Sequence, residues 1–256
     1  MSESPLKVWL DRDGTLLRLR LARPKANIVD AVMIAALNDA LAEYREVKEL
    51  RAVLLDHEGP HFSFGASVEE HLPGSCAAML KALHSLVRNM LTFPLPMLVS
   101  IKGQCLGGGL EVAAAGSMLF AAPDAKLGQP EIKLAVFAPA ASCLLPERMG
   151  QAHAEDLLFS GRSMGAEEAL ATGLVDRVSE DPETAALAYF DQQLAPHSAS
   201  SLRFAVLAAR DEYRQRVLAK LERVEVLYLK ELMASQDAVE GLTAFLEKRP
   251  AIWTHR

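Results

Sequence analysis

The chain has 256 residues, half of them hydrophobic and 23% charged, with a formal net charge of −6. That apolar fraction suffices for one substantial core, or one core with a small appendage, and it excludes a disordered chain. The acidic balance argues against a general nucleic-acid binder, and no window approaches the roughly 20 apolar residues that span a bilayer.

Taken in chain order, Met1 to Pro5 shows no leader pattern. Val8-Trp9-Leu10 and Leu16 to Leu21 flank Asp13-Gly14, a hairpin-turn dipeptide. Leu17, Leu19 and Leu21 alternate with Arg18 and Arg20, which predicts a half-buried strand. Arg23 to Asn27 reads as a loop, and Asp30 is placed to cap a helix from about Ala31 to Arg45 with Val32, Leu37 and Leu41 toward the core. Arg51 to Asp56 predicts a short buried strand, and His57 to His71 a connection. Ser75 to Thr92 predicts a helix, stopped by Phe93-Pro94. Met97 to Ile101 and Ser117 to Ala122 read as further strands, so strands alternate with helices in an α/β arrangement. Gln151 to Phe159 and Ala166 to Ala171 look helical, with Gly173 as a stop. From Ser200 to Glu247 the pattern is nearly all helix; Val217, Leu221, Val224 and Tyr228 fall on one face. The expected organisation is a body over residues 1–195 and a helical layer over 196–256.

Two glutamates carry the chemical signal. Glu111 follows Gly107-Gly108-Gly109 and lies in the otherwise apolar run Leu110 to Ala115; Glu131 ends Leu127-Gly128-Gln129-Pro130-Glu131. A glycine turn feeding a helix leaves backbone N–H groups unpaired at a positive dipole end, where a negative oxygen can be held. Small residues at Gly65 and Ala66 offer a second close approach, so the Ala66 and Gly108 amides are candidates for a two-donor oxyanion hole. Two carboxylates beside such a hole suit proton transfer on a thioester or another carbonyl compound. Each element also has a plainer reading: a tight turn at Gly65-Ala66, a packed corner at Gly107 to Gly109, a surface position for Glu131. His57 and His61 stand four apart but in a loop with Gly59-Pro60, no HExxH occurs, and no metal is expected. Cys76, Cys105 and Cys143 show no CxxC spacing, which suggests reduced thiols and a cytoplasmic setting.

These segments together make the chain resemble the enoyl-CoA hydratase/isomerase (crotonase) family. The resemblance rests on Leu21 to Asn27, Phe62 to Ser67, Ile101 to Glu111, Leu127 to Glu131 and Ala244 to Arg249, in that order over almost the whole length. It implies an α/β fold, a crotonase-like spiral of ββα units with a helical C-terminal trimerisation layer. It further implies an acyl-CoA substrate, with coenzyme A as part of that substrate and no separate cofactor, and a homo-oligomer, a trimer or a dimer of trimers. Carried over residue by residue, Ala66 and Gly108 hold the thioester oxygen, Lys25 and Ala26 line the CoA path, and Phe245 and Lys248 approach CoA. Both glutamates being present matches the hydratases within the family, with Glu111 activating water and Glu131 delivering a proton.

Three departures qualify the pattern. Ser67 stands where the family has aspartate, and Glu69 where it has lysine. The segment after Glu131, usually glycine-rich, reads Ala135 to Ser142 and contains Pro139, so its backbone must differ. Phe64, Phe137 and Pro139, with the small alanines, suggest an apolar acyl pocket of altered shape. This variant resembles the alicyclic dienoyl-CoA hydratases of anaerobic benzoyl-CoA breakdown, which implies hydration of a flat, conjugated ring. A linear enoyl-CoA hydratase, an enoyl-CoA isomerase and a non-catalytic RNA-binding or scaffolding relative are the competing readings.

Overall fold

The computed structural model describes residues 4–256. The expectation about a leader at Met1 to Pro5 falls largely outside the described residues. Strands β1 (Leu6–Asp11), β2 (Leu16–Leu21), β3 (Ala52–His57), β4 (Met97–Ile101), β6 (Met118–Ala121) and β9 (Arg177–Val178) form one sheet in the order β1-β2-β3-β4-β6-β9. Only the β1–β2 hairpin is antiparallel, with Leu6 opposite Leu21 and Asp11 opposite Leu16; β2 onward is parallel. The hairpin turns at Asp13-Gly14 with Gly14 at φ +82°, as the dipeptide predicts. A second sheet joins β5 (Gln104–Leu106), β7 (Lys126–Gly128) and β8 (Ser163–Gly165).

The helices follow their caps. Asp30 accepts from the Met33 N–H at 3.0 Å and opens α1 (Ala31–Tyr44), whose Met33, Ile34, Leu37 and Leu41 are buried. Val32, expected inside, is 61% exposed, because the core stripe runs through its two C-terminal neighbours instead. Helix α2 (Cys76–Leu91) ends before Phe93-Pro94, and α3 (Gly108–Ala114) is the buried helix carrying Glu111. After α4 (Pro139–Met149), α5 (Gln151–Ser160), α6 (Ala166–Ala171) and α7 (Pro182–Tyr189) comes α8 (Ala199–Lys230), then α9 (Gln236–Leu246). Val217, Leu221 and Tyr228 of α8 and Leu242 of α9 enter the same core as the sheet and α1–α3.

Strand β2 is more enclosed than alternation predicts. Arg18 is 3% exposed, because its guanidinium is neutralised there. It pairs with Asp56 at 2.5 Å, with Asp11 at 3.1 Å and with Glu183, and lies over the Trp9 ring. Partners on three sides offset the cost of burying this charge, while its buried Nε has no partner among the described residues.

Candidate active site

The topology assembles the site at the ends of three aligned segments. Residues 62–66 run beside β5: the Phe62 N–H donates to Lys102 O and the Ser63 N–H to Gln104 O, both at 3.0 Å, and the Leu106 N–H returns to Ser63 O at 3.0 Å. Strand β5 pairs in parallel with β7, and the Gly107 N–H donates to Gly128 O at 3.0 Å. The three segments therefore stop side by side. Their next residues are Ala66, Gly107-Gly108 and Gln129 to Glu131, and the carboxyl ends of parallel strands are where such folds bind ligands.

Ala66 and Gly108 converge as expected. A methyl built on Gly108 would stand 3.1 Å from the Ala66 nitrogen, and one on Gly65 would stand 3.5 Å from the Gly108 nitrogen. Neither amide has a backbone acceptor among the described residues, and Gly108 is the first residue of α3, where N–H groups are free and the helix dipole is positive. Ser63 cannot serve as a nucleophile here. Its hydroxyl donates to Asn27 O at 2.8 Å and accepts from the Gly65 N–H at 3.0 Å, which shapes the turn that presents Ala66.

Glu111 lies 3% exposed on α3. Its Oε1 accepts from the Ala141 N–H at 2.8 Å. That amide belongs to the first turn of α4, and Pro139 occupies the first helical position, where its missing N–H costs nothing. The proline that bars the usual loop thus starts a helix whose free amides hold a carboxyl. Burial lifts the Glu111 carboxyl to about 7, against the opposing pull of the Ala141 and Ala140 amides. Glu131 sits in the short 3-10 turn Pro130–Leu134. As a residue it is half-buried, but its carboxyl lies inside against Gly107, where an added methyl would meet Oε1 at 2.6 Å. Gly107, at φ +51°, is therefore required both for the backbone turn and for room. Burial, and then the charge of Glu111, lift Glu131 to about 8. With its amide nitrogen turned toward this carboxyl, Gln129 reaches both oxygens, at 3.1 and 2.9 Å.

These shifts set a pH dependence of stability. Both carboxyls hold protons more tightly folded than unfolded, so the stabilising contribution is complete below the ordinary glutamate value and is lost as pH rises through 7 to 8. The native chain is expected to lose urea resistance between about pH 5 and pH 8, and Glu131→Gln to lose less over the same span. Parallel curves for the two proteins would contradict this assignment.

A cavity opens onto Ala66, Gly107 and Glu131. Its walls are apolar at Phe64, Val68, Leu134, Val136 and Leu242, and His71 is its second polar side chain among the described residues. Its composition suits an apolar group held at a polar end.

The sequence profile of the enoyl-CoA hydratase/isomerase family matches residues 11–256. The chain belongs to that family. It is 69% identical over 258 residues to cyclohexa-1,5-dienecarbonyl-CoA hydratase of Thauera aromatica, with all of both chains covered. It is 31% identical to carnitinyl-CoA dehydratase of Salmonella typhi, again over all of both chains. Among solved structures, an enoyl-CoA hydratase/isomerase from Pseudoalteromonas atlantica superposes with a TM-score of 0.83 at 30% identity, covering 98% of this chain and 100% of that one.

Against this crotonase framework the remaining expected positions fall as follows. Lys25 and Ala26 form part of a surface groove over residues 23–28, tied to the oxyanion segment because the Phe64 N–H donates to Ala26 O at 2.9 Å. Phe64 borders the cavity and is 42% exposed. Phe137 does not border it. Its ring meets Tyr228 edge-on, centroids 5.2 Å apart, and Val136 takes the wall position. Pro139 is buried at the start of α4, outside the cavity lining. Phe245 is 54% exposed on α9 and Lys248 follows that helix, while Leu242, one turn earlier, reaches the cavity from the same chain. His57 and His61 are structural: His57 Nε2 accepts from the Lys102 N–H at 3.1 Å and His61 Nδ1 from the Gln104 N–H at 3.2 Å. Gln129, His71 and the cavity walls Val68, Leu134, Val136 and Leu242 are site residues the sequence did not single out. Gln129 had a usable signal, its place two residues before Glu131 in the same motif.

Proposed function

We propose that this chain is a dienoyl-CoA hydratase, a hydro-lyase that adds water to cyclohexa-1,5-diene-1-carbonyl-CoA and forms 6-hydroxycyclohex-1-ene-1-carbonyl-CoA in anaerobic benzoyl-CoA degradation. The reading is carried by one arrangement: two neighbouring buried carboxyls with raised proton affinity and two unpaired amides, with Glu131 and Ala66 lining an apolar cavity and Glu111 and Gly108 outside its lining. It is supported by the 69% identity to a hydratase bearing this diene's name.

In this mechanism the thioester oxygen accepts from the Ala66 and Gly108 N–H groups. Glu111, whose Oε1 accepts from the Ala141 N–H and is held in its charged form by that bond, acts as the carboxylate that takes a proton from water. The hydroxide adds to the ring carbon beta to the thioester carbonyl, and the negative charge spreads through the dienolate to the amide-held oxygen. Glu131, which carries its proton at neutral pH, donates it to the far end of the diene. Glu111 then holds one proton and Glu131 none, and its transfer back through solvent restores the pair. The ring gains one hydroxyl and one hydrogen, the elements of water.

Coenzyme A enters as part of the substrate, past Lys25 and Ala26 and beneath Phe245 and Lys248. We assign the α8–α9 layer to assembly of a trimer or a dimer of trimers, and the protein to the cytoplasm; no helix among the described residues is long and apolar enough to cross a membrane. A panel of acyl-CoA thioesters tests the reading. Purified protein is expected to add 18 mass units to the cyclic dienoyl-CoA at a far higher kcat/KM than to crotonyl-CoA. Faster turnover of crotonyl-CoA, or double-bond migration without mass change, would contradict it.

A further inference from the structure

We propose that His71 positions the water that is added: its bare Nε2 accepts the hydrogen that stays on oxygen throughout and ends as the hydroxyl hydrogen of the product. The proposal rests on the hydration reading above and names a further residue for it. His71 closes the 3-10 turn Glu69–His71, between the oxyanion segment and α2, and lines the same cavity as Ala66 and Glu131. Its Nδ1 lies 2.7 Å from the Ser67 carbonyl oxygen. A carbonyl oxygen can only accept, so Nδ1 carries the ring hydrogen, and in the neutral ring Nε2 is left with a lone pair alone. Burial pushes the imidazole's proton affinity down from its ordinary value, which keeps the ring neutral. No protein donor meets Nε2 among the described residues.

The reaction brings a matching partner. Water has two hydrogens, and a carboxylate removes only one. The other remains on the attacking oxygen and passes unbroken into the product. The walls Phe64, Val68, Leu134, Val136 and Leu242 offer it no side-chain acceptor, so apart from Glu131, which is occupied in delivering its proton, His71 is the side chain of the cavity lining that can accept it. An imidazole that can only accept also aims the water: with both hydrogens engaged, an oxygen lone pair is left toward the ring carbon. A carboxylate at this place would have added another negative charge beside Glu111, and an amine would have donated rather than accepted.

The test compares His71→Leu and His71→Gln by calorimetric binding of two unreactive or equilibrium ligands, saturated cyclohexane-carbonyl-CoA and the hydroxycyclohexene-carbonyl-CoA product, and by kcat on the diene. His71→Leu is expected to weaken the hydroxylated ligand about tenfold and lower kcat about as much, with the saturated ligand changed less than about twofold. His71→Gln, whose amide oxygen can accept, is expected to recover most of both losses. Equal weakening of both ligands in His71→Leu, unchanged affinity for the hydroxylated one, or a Gln variant no better than Leu would overturn the assignment. Should the native protein bind both ligands yet fail to hydrate the diene, the hydration reading fails, while the binding comparison still decides whether Nε2 receives a ring hydroxyl.

Discussion

Glu131→Gln is expected to fold normally and to lose at least about a hundredfold in turnover of the cyclic diene, with Glu111→Gln falling as far. The two losses have different causes. Glutamine at 131 keeps the shape and the place beside Gly107 but has no acidic proton to give at neutral pH. Glutamine at 111 keeps an oxygen for the Ala141 N–H and cannot take a proton from water. Because the charge of Glu111 is one of the causes that raise Glu131, the Glu111→Gln variant is also expected to lower the proton affinity of Glu131. The rate measured across pH, with substrate binding measured separately, distinguishes the two. Native-like turnover in either folded variant would remove that residue from the chemistry.

Gly108→Pro is expected to cost about 100- to 1,000-fold, the effect of losing one oxyanion donor. Position 108 opens α3, where proline is tolerated because its missing N–H has no intrahelical partner. The substitution therefore removes a donor with little demand on the helix, although its Cβ, like any at this position, presses on Ala66. Gly108→Ala is the control, because it shares that Cβ and differs in its N–H, so the further loss in Gly108→Pro reports the donor. It retains the N–H but brings a methyl to 3.0 Å from the Ala66 Cβ and 3.1 Å from its nitrogen, so it crowds the other donor. Both variants should keep their far-ultraviolet dichroism while kcat/KM falls. A folded Gly108→Pro protein with the native rate would refute the two-amide hole.

Much of this site was legible in the sequence because its parts are local. A glycine run before a helix, a lone carboxylate in an apolar helix and a capping aspartate each declare themselves within a few residues. Glu111 and Asp30 were placed correctly on that basis. The short strands β5, β7 and β8 were not legible: each has three residues and exists only through partners distant in the chain. Yet these strands deliver Ala66, Gly108 and Glu131 to one point, so the convergence itself had to come from the resemblance. Arg18 read as solvent-facing because alternation cannot see Asp56 and Glu183 arriving to neutralise it. His71 was obscured by its neighbours Glu69 and Glu70, which make the turn look like a solvated charged surface. Phe137 was read as a pocket wall from its apolar setting; the side chain of Tyr228, 91 residues on, draws it to the core instead.

The position of a single deuterium tests the central claim most directly. Hydration of the cyclic diene in heavy water, with the product read by NMR, separates two routes to the same alcohol. If the amides hold a dienolate while the carboxyls move protons, hydroxide adds beta to the carbonyl and deuterium lands on the methylene next to the alkene carbon. If water instead adds across the remote double bond without an enolate, deuterium lands on the methylene next to the carbinol carbon. The first result is the one expected; the second would contradict the role given to Ala66, Gly108 and the two glutamates together.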